Sequence, residues 1–229
     1  MASGIRVSII VPAYNEENSI ESVLLRLLEV SQKLPCSEII VVDDGSTDAT
    51  SKIVEPFNPV RLVRHDRNRG KGVAITTGLK NSKGNIFVIQ DADLEYLPED
   101  IPRLLEPILA GRADVVFGSR FRGKCRGMSF SHRIGNRILS LVTSLLYGVS
   151  VSDVMTGYKV FTREAIRSCD LSERSFTVEI EIVSRSLNKS LKFVEVPISY
   201  CYRKNDVSKI SYLDGFKALY TLVRRRLSS

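Results

Sequence analysis

Three carboxylates spaced two residues apart follow a short apolar run in the first half of the chain. Residues 86–89 are all apolar and have the length of a strand that is buried on both faces. If the extended conformation continues past this run, Asp91, Asp93 and Glu95 lie on one side of it. Hard carboxylate oxygens in such a row bind Mg²⁺ or Mn²⁺, with substrate phosphates completing the coordination shell. The pattern therefore predicts a divalent-cation site, and a solvated acidic turn before Pro98 is the alternative.

Two further polar loops follow predicted strands. Tyr14 and Glu16 come after residues 7–11, and Asp44 comes after residues 39–42. The carboxyl ends of parallel strands share one edge of a sheet, and open α/β sheets bind their ligands there. The sequence has no G-x-G-x-x-G after the first strand and no G-x-x-x-x-G-K-[ST] anywhere. A nucleotide would instead be held by a carboxylate on its base or ribose, by a stacking aromatic ring and by a metal at its diphosphate.

Strands and helices alternate along the part of the chain that carries these loops. The predicted strands are 7–11, 39–42, 60–63, 86–89 and 115–117. The predicted helices run from 18 or 19 to about 34, from 47 or 48 for a short distance, from 73 to about 80 and from 98 to about 110. This alternation indicates βαβ units, and hence an α/β fold with a mostly parallel, doubly wound sheet and flanking helices.

Composition and charge restrict the possible partners. The 229 residues are 43% hydrophobic and carry a net charge of +7, so one large domain with an anionic partner is expected. A phosphorylated substrate or a phospholipid surface suits this charge, whereas nucleic acid is disfavoured because stacking aromatics are not interleaved with the basic residues. The four cysteines are far apart and are expected to be reduced, mostly core thiols of a cytosolic protein. We expect no signal peptide and no transmembrane helix, since no run approaches the roughly 20 apolar residues of a span.

Two segments of the second half have the pattern of amphipathic helices. In residues 132–147, Arg133, Arg137, Ser140 and Ser144 fall on one helical face and a row of aliphatic residues falls on the other. The C-terminal residues from about Tyr212 repeat an apolar stripe and end in three consecutive arginines. Both segments could lie on a bilayer surface, and an ordinary core helix is the alternative for each.

The polar loops belong to a set of motifs that resembles one enzyme family. In the first half these motifs are Val11-Pro12-Ala13-Tyr14-Asn15-Glu16-Glu17, Val42-Asp43-Asp44-Gly45-Ser46-Thr47-Asp48, Asn68-x-Gly70-Lys71-Gly72 and Asp91-Ala92-Asp93. Together they resemble the GT-A glycosyltransferases of family two. The second half has Gly118-Ser119-Arg120, Ser131-x-Arg133-x-x-Asn136, Asp153-x-x-Thr156-Gly157-Tyr158, Glu179-x-Glu181, Glu195-Val196-Pro197-Ile198 and Ser208-Lys209. These resemble the dolichyl-phosphate mannose synthases and other polyprenyl-phosphate glycosyltransferases.

The resemblance implies a role for individual positions. The residues that would enclose the nucleoside are Pro12, Tyr14, Glu16, Val42 and Asp44. Those that would lie under the ribose and diphosphate are Asp91, Ala92 and Asp93, with Asp93, Glu95 and Asp91 as the metal ligands. The cations that would bind the donor diphosphate and the acceptor phosphate are Arg120, Arg133, Arg203 and Lys209. Catalysis would then depend most on Asp93, Arg120 and Arg133.

The resemblance also implies a reaction and its location. It implies inverting, Mg²⁺- or Mn²⁺-dependent transfer of a hexose to a polyprenyl or dolichyl phosphate, with GDP-mannose as the first donor and UDP-glucose as the second. The enzyme would be peripheral on the cytoplasmic face of a membrane, with a possible membrane-anchoring partner protein. Residues 1–211 would form the catalytic domain, with a nucleotide-sugar half 1–118 and an acceptor half 119–211, and residues 212–229 would form a basic amphipathic helix. A nucleotidyltransferase or a non-catalytic lipid-binding module are the alternatives from other classes.

Overall fold

The computed structural model of the chain describes residues 4–168, 178–188, 191–202 and 212–227. The strands in these ranges are β1 Val7–Ala13, β2 Ser37–Asp43, β3 Arg61–Arg64, β4 Ile86–Ile89, β5 Val115–Arg126, β6 Lys159–Thr162 and β7 Phe193–Cys201. The α-helices in the same ranges are α1 Ile20–Ser31, α2 Thr50–Val54, α3 Lys71–Asn81, α4 Ile101–Leu109, α5 Phe130–Tyr147, α6 Arg163–Ser168, α7 Val178–Asn188 and α8 Tyr212–Leu227.

The described strands form one sheet in the order β3-β2-β1-β4-β6-β5-β7. Strands β1, β2, β3 and β4 pair in parallel, and β5 pairs in parallel with β7. Strand β6 is antiparallel to both of its neighbours, β4 and β5. The predicted α/β class with a mostly parallel sheet and flanking helices is therefore confirmed.

The centre of the sheet is buried on both faces, as its continuous apolar strands require. Along β1 the side chains alternate between two buried clusters. Ile9 belongs with Leu24 of α1 and Leu104 of α4 to one cluster. Ile10 belongs with Ile75 of α3, and with residues of α5 and α7, to the other. Because β2 and β4 flank β1, the loops after these three strands emerge side by side at one edge of the sheet.

The second half contains elements that the sequence pattern did not predict. Strand β5 continues to Arg126, well past the predicted end at residue 117, because it pairs with β7 on both sides of an irregularity between Ser119 and Lys124. Strands β6 and β7 and helices α6 and α7 were not predicted at all. None of the helices in the described part of the chain has the length and apolar character needed to span a bilayer.

Candidate active site

The acidic segment after β4 is a turn and not a continuation of the strand. The strand ends at Ile89, and Leu94 has a φ of 61°, which is incompatible with an extended chain. Gln90 closes the turn, because its side-chain Nε2 donates to the carbonyl oxygens of Asp91 and Tyr96 at 3.0 and 3.1 Å. The Asp93 carboxylate accepts from the backbone N–H of Glu95 at 3.0 Å. The expected alternation of three carboxylates along an extended strand is therefore wrong.

Asp91 has a lysine as its partner inside the protein. The Lys71 ammonium, at the start of α3, lies 2.7 Å from Asp91 Oδ1 and 2.7 Å from Glu179 Oε1. A Cβ on Gly157 would lie 2.3 Å from Asp91 Oδ2, so a larger residue at this position would have to displace the carboxylate. Asp91 is thus ion-paired with Lys71, which it shares with Glu179, and its role as a metal ligand stays a prediction.

Asp93 and Glu95 are the carboxylates that fit a divalent cation. Burial, and then the charges of Asp91 and Glu95, raise the pKa of Asp93 to about 7, so a nearby cation would relieve an unfavourable charge. Glu95 Oε2 accepts from the Tyr200 hydroxyl at 2.7 Å. The described residues contain no group of three or more His, Cys, Asp or Glu side chains that could hold a metal ion by themselves. The carboxylates of Asp93 and Glu95 are of the kind that Mg²⁺ or Mn²⁺ binds, and phosphate oxygens and water would supply the remaining ligands.

The residues predicted around the nucleoside lie together at the ends of β1 and β2. Pro12 and Tyr14 are half-buried, while Glu16, Val42, Asp44 and Ala92 are buried. Glu16 Oε2 accepts from Ser19 Oγ at 2.8 Å, and the Glu16 backbone N–H donates to Thr50 Oγ1 at 2.8 Å. These bonds fix the loop after β1 to helices α1 and α2.

The Asp44 carboxylate forms hydrogen bonds with other residues of the protein. Its Oδ1 lies 2.6 Å from His65 Nδ1 and accepts from the Arg69 backbone N–H at 3.0 Å. Its Oδ2 accepts from the Gly70 backbone N–H at 2.7 Å. The carboxylate therefore shapes the loop that leads to Lys71. Its predicted contact with a nucleoside remains a prediction.

Arg120 is buried beneath the acidic turn. Its Nε and Nη2 donate to the two oxygens of Asp153 at 2.7 and 2.8 Å. The guanidinium also lies 5.1 Å from the centre of the Tyr200 ring, and Asn136 donates to Asp153 Oδ1 at 2.6 Å. A phosphate contact by Arg120, as predicted, would have to use the N–H groups of Nη1 or the second N–H of Nη2, which the pair with Asp153 leaves over.

The other predicted phosphate-binding cations are distributed differently. Arg133 is exposed in the first turns of α5. Arg203 and Lys209 lie outside the described residues. The structure therefore gives a position for Arg133 and leaves the roles of all three as predictions.

A buried charge cluster behind the turn was not recognised from the sequence. Lys159 of β6 is 1% exposed, and its ammonium lies 3.9 Å from Glu179 Oε2. Burial lowers the pKa of Lys159 to about 8, against the opposing charge of Glu179. The motifs around Lys71 and Glu179 were recognised in the sequence, but their pairing was not, because the two residues are 108 positions apart.

Asp153 and Glu181, which could have served as a base toward a hydroxyl acceptor, are both fully buried against arginines. Asp153 is bound by Arg120 as described above. Glu181 Oε1 accepts from Arg185 of the same helix at 3.1 Å and pairs with Arg225 of α8. Carboxylates held in this way are poorly placed to remove a proton from a substrate.

Helix α5 exposes a stripe of apolar residues together with Arg133 and Arg137, and it buries a row of smaller polar residues. Asn136, Ser140 and Thr143 are buried, together with Leu139. The exposed apolar stripe consists of Phe130 at 78%, Ile134 at 41%, Ile138 at 55%, Leu141 at 60% and Leu145 at 75% exposure. On α8, which packs against α5 and α7, Tyr220, Val223 and Leu227 are also exposed. For α5, the arrangement is the opposite of an ordinary core helix.

The comparisons with known proteins agree with this geometry. A family model described as "Glycosyl transferase family 2" matches residues 8–169. The UDP-N-acetylglucosamine–dolichyl-phosphate N-acetylglucosaminyltransferase of Methanococcus voltae is 32% identical over 96% of this chain and 96% of the relative. The dolichol-phosphate mannosyltransferase of Pyrococcus furiosus is 30% identical over 96% of this chain, which covers 63% of that enzyme.

Among solved structures, a similar one is glucosyl-3-phosphoglycerate synthase from Mycobacterium tuberculosis in complex with Mn²⁺, UDP-glucose and phosphoglyceric acid. It superposes with a TM-score of 0.78 at 25% identity, over 97% of this chain and 80% of that one. A second complex of the same synthase, with UDP, has a TM-score of 0.79 at 25% identity and covers 97% and 80% of the two chains.

Proposed function

This chain belongs to glycosyl transferase family 2, and from that membership we propose that it transfers a hexose from a nucleoside-diphosphate sugar to a polyprenyl phosphate. The observation that carries the proposal is the acidic turn with Asp93 and Glu95 at the carboxyl end of β4, in a family of sugar-nucleotide enzymes. The two relatives named above act on dolichyl or dolichol phosphate according to their names, which supports the acceptor class.

The donor is the less determined half of the proposal. GDP-mannose remains our first choice, in line with the Pyrococcus furiosus relative. UDP-N-acetylglucosamine and UDP-glucose are the competing donors, supported by the Methanococcus voltae relative and by the Mycobacterium tuberculosis complex. The assay below therefore compares all three donors.

The proposed step is one displacement at the anomeric carbon. A phosphate oxygen of the acceptor forms the new bond to that carbon, while the bond to the donor diphosphate breaks and the nucleoside diphosphate leaves with the electron pair. A phosphate monoester has a second pKa near about 6, so the nucleophile is already ionised at neutral pH. A strong general base is therefore unnecessary, which agrees with the arginine pairing of Asp153 and Glu181. The anomeric configuration inverts.

The charge on the two phosphate groups needs cations. Asp93 and Glu95 would hold Mg²⁺ or Mn²⁺, which supplies electrostatic stabilisation to the departing diphosphate when bound. Arg133, Arg203 and Lys209 would bind the acceptor phosphate, and Arg120 would support the site from below. Preorganised charges and donors stabilise the charge that develops in a transition state, and removing one oxyanion-hole donor typically costs a factor of about 10² to 10³ in rate.

The exposed apolar stripe of α5 supports a peripheral location at a membrane. Its residues lie beside basic side chains, since Arg133 and Arg137 of α5 and Arg122 and Lys124 of β5 are exposed as well. An apolar face flanked by positive charge binds anionic bilayers. The acceptor phosphate would then reach the site at headgroup height while its polyprenyl chain stays in the lipid.

The test is an assay of the purified chain with GDP-mannose, UDP-N-acetylglucosamine and UDP-glucose, each with Mn²⁺ and a short polyprenyl phosphate. We expect a glycosyl polyprenyl phosphate and release of the nucleoside diphosphate, with loss of both in excess EDTA. Phosphoglyceric acid serves as the water-soluble comparison acceptor. Conversion of the nucleotide sugar and added pyrophosphate to a nucleoside triphosphate and a sugar phosphate would indicate a nucleotidyltransferase, and donor binding without turnover would indicate a non-catalytic module. Either result overturns the proposal.

A further inference from the structure

Strand β7 holds the acidic turn through one tyrosine. Tyr200 is 5% exposed, and its hydroxyl donates to Glu95 Oε2 at 2.7 Å. The backbone of the turn is held at the same place, because the N–H of Cys201 donates to the carbonyl oxygen of Glu95 at 3.0 Å. Tyr96 also forms an antiparallel bridge with Tyr200. Both the side chain and the backbone of Glu95 are therefore fixed to β7.

The Tyr200 ring is itself fixed from two directions. The Tyr96 ring lies 5.3 Å from it, centre to centre, at an angle of 59°. The Arg120 guanidinium lies 5.1 Å from the ring centre and is held by Asp153. A ring enclosed in this way has little rotational freedom, so its hydroxyl stays at one point in the site.

We propose that Tyr200 is a positioning residue whose hydroxyl orients the Glu95 carboxylate toward the divalent cation. The inference rests on the proposed function, because it assumes that Glu95 is a metal ligand. A carboxylate ligand that is not otherwise held can rotate between several coordination modes. A hydrogen bond to one of its oxygens selects one orientation, and loss of such a bond typically weakens metal binding by about 10- to 100-fold.

Tyr200 also connects the two halves of the site. Its hydroxyl touches a candidate metal ligand that follows β4, while its ring touches Arg120 of β5. Strand β7 ends at Cys201, and the next residue, Tyr202, leads into the segment that carries Arg203 and Lys209. The same strand thus orients a ligand for the donor diphosphate and begins the segment predicted to contact the acceptor.

The test measures Mn²⁺ binding directly, by the electron paramagnetic resonance signal of free Mn²⁺ during titration in the presence of GDP or UDP. We expect Tyr200→Phe to bind Mn²⁺ about 10- to 100-fold more weakly than the wild type. Tyr158→Phe is the matched control. Tyr158 belongs to the same ring cluster, 5.5 Å from Tyr96, but its hydroxyl donates to the carbonyl oxygen of Leu97 at 3.0 Å. That variant should keep wild-type Mn²⁺ affinity.

Two further variants separate positioning from general structural damage. In a Glu95→Ala background, Tyr200→Phe should cause no additional loss of Mn²⁺ affinity, because the carboxylate that it orients is gone. Replacing Tyr200 with 4-aminophenylalanine keeps both the ring and a donor, and should restore most of the affinity. These comparisons remain informative even if Tyr200→Phe lowers the melting temperature.

The outcomes also distinguish this inference from the proposed function. If the wild type binds no Mn²⁺ with either nucleotide, the metal site fails and this inference fails with it. If the wild type binds Mn²⁺ and Asp93→Asn does not, the metal site stands. Wild-type affinity in Tyr200→Phe would then overturn the positioning role alone.

Discussion

At the level of single residues, Asp93 combines a half-buried position with two acidic neighbours, Asp91 and Glu95. Asp93→Asn removes a charge that the folded protein disfavours, so the variant should be at least as stable as the wild type. It also removes a strong ligand for the cation, so turnover should fall by well over tenfold. Turnover and melting temperature measured on the same sample check both parts. A loss of turnover that follows a loss of folded protein would contradict this explanation.

A second prediction at this scale concerns the buried lysine. The pKa of Lys159 in the folded protein is about 8, below its unfolded value, so the folded state binds this proton less tightly. Burying the protonated ammonium lowers the stability of the folded state. This cost is fully present below pH 8 and is relieved as the pH rises from 8 to about 10.5. The wild type should therefore gain stability relative to Lys159→Met across this window, on the order of 1 to 3 kcal/mol.

Denaturant unfolding of the two proteins at pH 7, 8, 9 and 10 measures this difference. Lys80→Met, at an exposed position of α3, is the control. Its free energy of unfolding should depend on pH in the same way as that of the wild type. If the free energy of unfolding depends on pH in the same way for Lys159→Met and the wild type, burial does not lower the pKa of Lys159 as described.

At the level of elements, the close contact between the 156–158 loop and the acidic turn makes a sharp prediction. A Cβ on Gly157 would lie 2.3 Å from Asp91 Oδ2 and 3.4 Å from Glu179 Oε1. Gly157→Ala should therefore displace Asp91 from Lys71 and reduce turnover by about tenfold or more, at a stability cost of roughly 1 to 3 kcal/mol.

Gly135→Ala is the matched control, because nothing lies within 4 Å of the added methyl group and the position is inside helix α5. It should stabilise the protein by up to about 1 kcal/mol and leave turnover unchanged. If Gly157→Ala and Gly135→Ala have the same turnover and stability, the close approach of Gly157 to Asp91 is not important for activity.

The elements also show where sequence patterns are informative. Strand β4 was predicted at its observed bounds, 86–89, because a run buried on both faces is apolar throughout. The turn after it was mistaken for extended chain, because its shape depends on Gln90 bonding to Tyr96, which periodicity does not report. Strand β5 was predicted too short because residues 118–126 are stabilised by pairing with β7, which is distant in sequence.

At the level of the whole molecule, the predicted residues that follow β1, β2 and β4 lie at one edge of the sheet, but several of their partners come from far along the chain. Tyr200 reaches Glu95 across 105 residues, and Arg120 reaches Asp153 across 33. Motifs drew attention to the residues predicted to bind the nucleotide. They did not identify which carboxylates are already neutralised by arginine or lysine, since ion pairing is a property of the folded arrangement and has no local signature.

The fold as a whole leads to the prediction about membrane binding. The exposed stripe of α5 includes Ile138, Leu141 and Leu145, and the triple change of these residues to Gln should abolish binding to anionic vesicles without lowering the melting temperature. Leu25→Gln on α1 is the control, because that leucine is similarly exposed, at 56%, on another helix. Co-sedimentation with vesicles of anionic phospholipid over a salt series is the measurement.

Charge variants must respect the packing of α8. Arg225 pairs with the buried Glu181, so changing all three arginines of residues 224–226 would also leave a buried carboxylate with fewer partners. Arg224→Ser with Arg226→Ser keeps that pair and should remove up to about 2 kcal/mol of attraction, which shifts release to lower salt. The apolar triple should lose binding at every salt concentration, because burial of aliphatic groups is not screened. If the triple still sediments like the wild type, α5 does not contact lipid, and the stripe must instead be covered by another protein surface.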